Sequence, residues 1–364
     1  MDIVILGLSI TSSWGNGHAT TFRGLVRELA ALGHRVTFLE RDVPWYAAHR
    51  DLPHPPYGRT WLYRDLTDLR VRFRPLVEQA DAVIVGSYVP DGIEVGEWVL
   101  EHARGRTAFY DIDTPLTLAA LARGACDYLS PALIHGYQLY LSFTGGPTLQ
   151  HLEHDLGAPE AHALYCSFDP ALYYPQPQPT RWDLGYLGTY SPDRQPRLES
   201  LLLEPARREP ARRFTVAGPM YPETIAWPGN VERREHVPPD EHRAFYNQQR
   251  FTLNVTRDDM IRAGWSPSVR LFEAAACGVP IISDRWAGLE ELLDPILFAD
   301  TSEQVQGYLR DLDEGTRQAI GARVRERVMA EHTAAHRAQQ LMNMLAKVPR
   351  RQPRQRIPMT ETQR

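Results

Sequence analysis

The start of the chain constrains the fold most. Ile3, Val4, Ile5, Leu6, Gly7 and Leu8 form an unbroken apolar run, the pattern of a strand buried on both faces of a parallel sheet. A polar loop over residues 9–17 follows, then an amphipathic helix over 18–32. In that helix Phe22, Leu25, Val26, Leu29 and Leu32 recur at helical spacing, and Gly33 is its stop. Residues 35–40 read as a second strand. A strand, loop, helix, strand unit of this kind opens a doubly wound α/β domain, because its strands need helices over both faces.

The same rhythm recurs. Strands are expected at 82–86, 107–111, 128–129, 139–143 and 163–166, with helices around 93–103, 116–123 and 147–156. Residues 45–61, rich in Pro and Gly, read as an irregular insertion. Pro170, Pro175, Pro177 and Pro179 mark 169–180 as a stiff linker. A second cycle begins with a strand at 182–188, a loop at 189–194 and a helix at 197–205, and continues with strands at 213–218 and 250–255. Thr301 to Glu303 caps a helix through Leu312 that Gly315 stops, and 316–345 supplies more helix. At 364 residues, 43% hydrophobic, the chain is long enough for two cores. The expected organisation is an N-terminal Rossmann-like domain over 1–168, the linker 169–180, a second such domain over 181–330, a C-terminal helix over 331–347 and a disordered basic tail over 348–364.

Charge and cysteines narrow the class. A net charge of -5 gives no electrostatic case for a nucleic-acid partner. Cys126, Cys166 and Cys277 are too widely spaced for a metal-ligand pair and fit buried thiols of a reducing compartment. The first residues lack the pattern of a signal peptide, and no run has the ~20 apolar residues of a membrane span. The expectation is a cytoplasmic protein with no integral membrane segment, a monomer or homodimer.

Residues 265–288 carry the most chemistry. Ser266 and Pro267 are expected to cap and open a helix, with Val269, Phe272 and Ala276 facing a core and Arg270 and Glu273 sharing another face. Cys277 and Gly278 end it, and 279–283 reads as a strand. Ser266, Ser268, Arg270, Glu273, Trp286 and Gly288 would then make one wall of a cleft. The opposite wall is the loop Ser13, Trp14, Gly15, Asn16 and Gly17, at the carboxyl end of the first strand. His18 is either a catalytic or phosphate-contacting group or a helix-start histidine with a satisfied hydrogen bond. Asp111 and Asp113 stand at a strand's ligand edge, where either can act as a general base; Asp113, before Thr114 and Pro115, can instead cap a helix. Gly15, Gly17 and Glu40 invite a dinucleotide reading, but residues 9–14 intervene before the first glycine and Thr20 holds the third glycine position, which argues against NAD.

The run Ser268-x-Arg270-x-Phe272-Glu273-Ala274-Ala275-Ala276-Cys277-Gly278-Val279-Pro280, followed by Gly288-Leu289-Glu290-Glu291, resembles the donor-side signature of group 1 glycosyltransferases of the two-domain GT-B architecture, and in particular the bacterial CgeB-like (spore maturation) branch. Residues 7–18 and 110–115 look similar to the same branch. The resemblance implies a metal-independent, hexosyltransferase-like enzyme that moves a sugar from a nucleotide-diphosphate sugar, a co-substrate and not a bound cofactor, to an unnamed glycan, protein or small-molecule acceptor. It implies that Glu273 receives the ribose hydroxyls, since a carboxylate accepts two hydrogen bonds from a diol. Gly188, Thr189, Tyr190, Gly218 and Arg194 would hold the diphosphate. Thr189 stands where the family has an arginine, and Arg270 is the replacement charge. Trp265 stands where a first glutamate usually precedes Glu273. A catalytically inactive nucleotide-sugar-binding protein and a nucleotide-sugar epimerase on the same fold are the alternatives.

Overall fold

The computed structural model describes residues 1–351. Its first sheet contains β1 (Asp2–Gly7), β2 (Arg35–Arg41), β3 (Arg59–Tyr63), β4 (Ala82–Gly86), β5 (Arg106–Asp111), β6 (Leu139–Ser142) and β7 (Ala161–Ala163), in the order β3-β2-β1-β4-β5-β6-β7. The second contains β8 (Trp182–Leu187), β9 (Phe214–Ala217), β10 (Val231–Arg234), β11 (Gln249–Asn254), β12 (Ile281–Ser283) and β13 (Leu297–Phe298), in the order β10-β9-β8-β11-β12-β13. All pairings in both sheets are parallel. Strand order reverses between β1 and β4 and again between β8 and β11. At such a point the loops leaving the carboxyl ends diverge and open a crevice. The architecture is therefore the expected one, α/β with two Rossmann-like halves.

Alternation along β1 explains its apolar run. Ile3 and Ile5 pack with Phe22, Leu25, Val26 and Leu29 of the helix His18–Ala31. Val4 and Leu6 join Leu69, Phe73, Val95 and Trp98 on the other face.

Several elements differ from the sequence expectation. Residues 45–61 include the start of β3, an edge strand whose exposed Arg59 and Trp61 hide its pattern. Residues 128–129 are not a strand, and the Tyr128 hydroxyl pairs with Thr117 at 2.8 Å. β7 ends at Ala163, where a strand was expected to begin. The helix expected to open at Ser266 and Pro267 runs instead over Val269–Ala276, with Cys277 at its C-cap. Gly315 does not stop the helix Ser302–Asp311; it lies inside the next one, Glu314–Glu331, which the Asp313 side chain caps.

The last helix, Ala334–Lys347, returns to the first sheet. Ala338, Leu341 and Leu345 complete the core around Leu25 and Leu29. The close approach requires Gly24, where a Cβ would stand 3.0 Å from that of Ala334. The segment expected to be a disordered tail begins docked. Val348 is buried, its carbonyl accepts from Arg106 Nε at 2.7 Å, and Arg350 pairs with Asp81. The remainder of that tail, residues 352–364, lies outside the described residues.

Asp111, at the end of β5, braces this sheet. It is fully buried and accepts from Tyr140 Oη at 2.6 Å and Thr117 Oγ1 at 2.8 Å. Burial pushes its carboxyl up to about 6, against the lowering effect of these hydrogen bonds. A folded-state value above the unfolded one favours the fold while the group is protonated, below about pH 4, and this contribution is lost as pH rises through 6. The cost is on the order of 3 kcal/mol. The Tm difference between Asp111→Asn and wild type is therefore expected to shift in favour of the variant between pH 4 and 7. A difference independent of pH contradicts the assignment.

Candidate active site

The loops at the carboxyl ends of the two sheets enclose a cleft of two lobes that share the edge Gly15, Gly17, Thr189, Arg194, Ser268 and Val269. The first lobe is lined by Gly188, Gly218, His236, His242, Tyr246, Arg270 and Glu273, with Ser13 and Asn16 opposite. The second is lined by His18, Asp113, Thr144, Thr256, Arg257 and Ser266, among others.

In the first lobe Glu273 projects from the helix Val269–Ala276. Tyr246 Oη donates to its Oε2 at 3.1 Å, and His242 Nδ1 lies 3.7 Å from the same atom. Burial and the Glu273 charge hold the Tyr246 phenol far above its usual range, so it remains a donor. Arg270 is 7% exposed; its guanidinium lies 4.6 Å over the Tyr186 ring and donates to Leu187 O and, at 2.8 Å, to Asn254 Oδ1. Gly188 makes room for it, since a Cβ there would stand 2.6 Å from Arg270 Nη2. Gly218, at φ +141°, backs onto Gly188, and a Cβ would meet the Gly188 carbonyl oxygen at 2.1 Å. Arg194 reaches both lobes. It donates to Thr189 O at 3.0 Å and Tyr186 Oη at 3.4 Å, and its Nε is buried without a partner among the described residues.

In the second lobe Asp113 occupies the N-cap of the helix Thr114–Ala122, yet its side chain makes no capping bond. It turns into the cleft instead. Tyr88 Oη donates to Oδ2 at 3.2 Å and His18 Nε2 lies 3.5 Å from the same oxygen. Burial raises its carboxyl pKa, but the His18 hydrogen bond and charge, the Arg257 charge and Tyr88 together bring it below the usual range. Asp113 is thus a carboxylate across neutral pH, oriented by His18. Arg257 enters from the other wall, just beyond β11. Thr256, beside it, is fixed by bonds from its amide and hydroxyl to Asp284 at 2.8 and 2.7 Å and by the Trp286 indole at 3.2 Å.

Several expected site residues lie elsewhere. Asp111 is behind the cleft, occupied by Tyr140 and Thr117. Trp286 is a buried brace for Thr256. Tyr190 packs on Tyr221, with ring centroids 5.5 Å apart. Gly288 packs against Trp265, whose ring a Cβ there would meet at 2.4 Å. Trp14 is stacked on His49, with ring centroids 4.4 Å apart, and meets His236 of the first lobe at 4.6 Å in a tilted contact. Glu40 is consumed in ordering the loop after β1: it accepts from Ser9 Oγ, Thr11 Oγ1 and the amides of Ile10 and Thr11. The sequence reading missed His236 and, on the helix Pro239–Asn247, His242 and Tyr246, which stand one turn apart. It also missed Arg257, whose signal was its place just past an apolar strand. Among the described residues no group of three His, Cys, Asp or Glu side chains is arranged to hold a metal, and no helix is long and apolar enough to cross a membrane.

A family model described as glycosyl transferase-like matches residues 194–343, a span that includes Arg194, Arg257, Arg270 and Glu273. No curated protein sequence matches the chain. Among solved structures, HepE of Anabaena in complex with UDP-glucose superposes with a TM-score of 0.70 at 14% identity, over 96% of this chain and 100% of that one. An alpha-glucosyltransferase in complex with UDP gives 0.69 at 13% identity, over 95% and 100%. Sucrose-phosphate synthase from Thermosynechococcus elongatus gives 0.68 at 15% identity, over 95% and 99%. At these identities the likeness is one of fold, and the fold of this chain is that of the GT-B glycosyltransferases.

Proposed function

We propose that this protein is a glycosyltransferase that moves a sugar from a nucleotide-diphosphate sugar to an acceptor held by its N-terminal half. The observation that carries this reading is the continuity of the cleft. One lobe offers Glu273 with arginines and glycine loops, and across a shared edge the other offers an ionised Asp113. In this reading Glu273 receives the ribose diol. Arg194, Arg270, the backbone at Gly188 and Gly218 and the N-terminus of the helix Val269–Ala276 receive the diphosphate. The sugar then points over the edge toward Asp113.

The leaving diphosphate gains charge as the glycosidic bond breaks, and fixed guanidinium and amide donors stabilise that charge without reorganising. Such donors support a reaction that needs no metal. Asp113, with its proton affinity held low, suits the orientation of an acceptor hydroxyl and a late uptake of its proton. The complexes of fold neighbours with UDP-glucose and UDP make UDP-hexoses the first donors to test. The CgeB-like resemblance of residues 268–280 supports that branch, and three free thiols fit a cytoplasmic location.

Screening UDP, GDP, dTDP and ADP sugars for transfer or slow hydrolysis, with and without EDTA, tests the activity. Glu273→Ala is expected to weaken nucleotide binding in calorimetry by roughly 10- to 100-fold, the loss of charge-assisted bonds to a diol; unchanged affinity removes the ribose assignment. Asp113→Asn is expected to lower kcat for transfer by about 10²–10⁴-fold with nucleotide affinity unchanged. Full transfer activity in that variant takes the strand-end acid out of the chemistry.

A further inference from the structure

Arg257 is a half-buried cation with no anion of its own. It lines the second lobe, and among the described residues its side chain enters no hydrogen bond or ion pair. Two carboxylates lie close enough for it to lower their pKa values, and both are otherwise engaged. Asp113 is held by His18 and Tyr88, and Asp193 accepts from Ser191 Oγ and, at 3.2 Å, from the Asp258 amide. Elsewhere in the chain arginines are commonly paired with acids, as in Arg181 with Glu232 and Arg197 with Asp258. The backbone just before Arg257 is anchored, because the Thr256 amide and hydroxyl donate to Asp284 and its hydroxyl accepts from the Trp286 indole. A guanidinium left unpaired in a partly enclosed lobe is suited to receive an anion.

Position decides which anion. Arg257 comes from the half of the chain that carries Arg194, Arg270 and Glu273, and it lines the same lobe as Thr189 and Arg194 of the shared edge. In the donor site proposed above, with the ribose at Glu273 and the first phosphate at Gly188, the distal phosphate would stand at this edge. Arg270 does not reach past the edge: it lines only the first lobe, and Leu187 O and Asn254 take its Nε and Nη1.

We infer that Arg257 is a catalytic residue that, with Arg194, binds the distal phosphate of the donor. The inference rests on the donor site proposed above. As the anomeric C–O bond breaks, its electron pair remains on the distal phosphate oxygen, between these two guanidinium groups. The acceptor hydroxyl oxygen forms the new bond to the anomeric carbon and gives up its proton on the Asp113 side of the lobe.

The test compares nucleoside diphosphate with nucleoside monophosphate, using whichever of UDP, GDP, dTDP and ADP stabilises the wild-type protein most. Arg257→Gln is expected to lose roughly 10- to 100-fold in affinity for the diphosphate, to keep its affinity for the monophosphate, and to lose kcat for donor cleavage. Arg257→Lys is expected to recover part of both losses, since it restores the charge without the bidentate fork. Equal weakening of both nucleotides, or of neither, overturns the assignment. So does an unchanged diphosphate affinity with a raised acceptor KM, which gives the anion to the acceptor. A wild-type protein that binds no nucleotide removes the donor site itself, and this role with it.

Discussion

The spacing of the two lobes depends on how Trp265 packs between the halves of the molecule. Its ring lies between Gly146, from the loop beyond β6, and Gly288, from the loop beyond β12; a Cβ on either glycine would come within 2.5 and 2.4 Å of the indole. The Gly145 amide donates to Trp265 O at 3.0 Å, Thr144 and Ser266 share a hydrogen bond of 2.7 Å, and the Cys166 thiol donates to Pro267 O. Trp265 holds φ +41°, a conformation that costs a non-glycine residue on the order of 1–3 kcal/mol. Packing of the half-buried indole against both glycines works against that cost. The seam sets the start of the helix Val269–Ala276 opposite Asp113. The Trp265 indole also donates to Glu291 at 3.1 Å.

On that frame the cleft keeps positive charge available. Arg270 and Arg194 are held by carbonyl oxygens, an amide and a phenol, not by carboxylates. Neutral partners fix a guanidinium without cancelling its charge, which preorganises the site for an anion. The acids are arranged in a complementary way. Glu273 receives a phenol hydrogen bond, and Asp113 is steadied by His18 and Tyr88 at the end of the cleft where a neutral hydroxyl would react. Burial raises the pKa of both Asp111 and Asp113, two residues apart; what separates them is that His18, Arg257 and Tyr88 outweigh it at Asp113, whereas the hydrogen bonds from Tyr140 and Thr117 do not at Asp111. Asp111 still belongs to β5 and points into the packed sheet, whereas Asp113 lies past the strand end and turns outward.

What was legible in the sequence follows from which forces act locally. β1 and β4 announce themselves because both faces are buried and nearly every side chain is apolar, and β5 through its central Ala108, Phe109 and Tyr110. β3 does not, since an edge strand with exposed Arg59 and Trp61 reads as loop. Arg270 and Glu273 were legible as cleft residues because helical spacing fixes their face. Trp286 and Gly288 follow the same strand closely, but nearness in sequence to a strand end says nothing about direction; one turns inward to Thr256 and the other closes on Trp265. His242 and Tyr246 stand one turn apart on the helix Pro239–Asn247, but that spacing does not say what the face meets, and only the folding of the second half brings them and His236 to the lobe of Glu273. The docking of Val348 and Arg350 depends on Arg106 and Asp81, more than 200 residues away, and leaves no local mark.

The most direct measurement is a crystal structure of the protein with its nucleotide-diphosphate sugar. The nucleotide is expected in the first lobe, with both ribose hydroxyls within hydrogen-bond reach of Glu273, the diphosphate between the Gly188 backbone and Arg194, and the anomeric carbon directed over the shared edge toward Asp113. A nucleotide seated outside this cleft, or reversed so that its ribose lies beside Asp113, contradicts the proposed transfer.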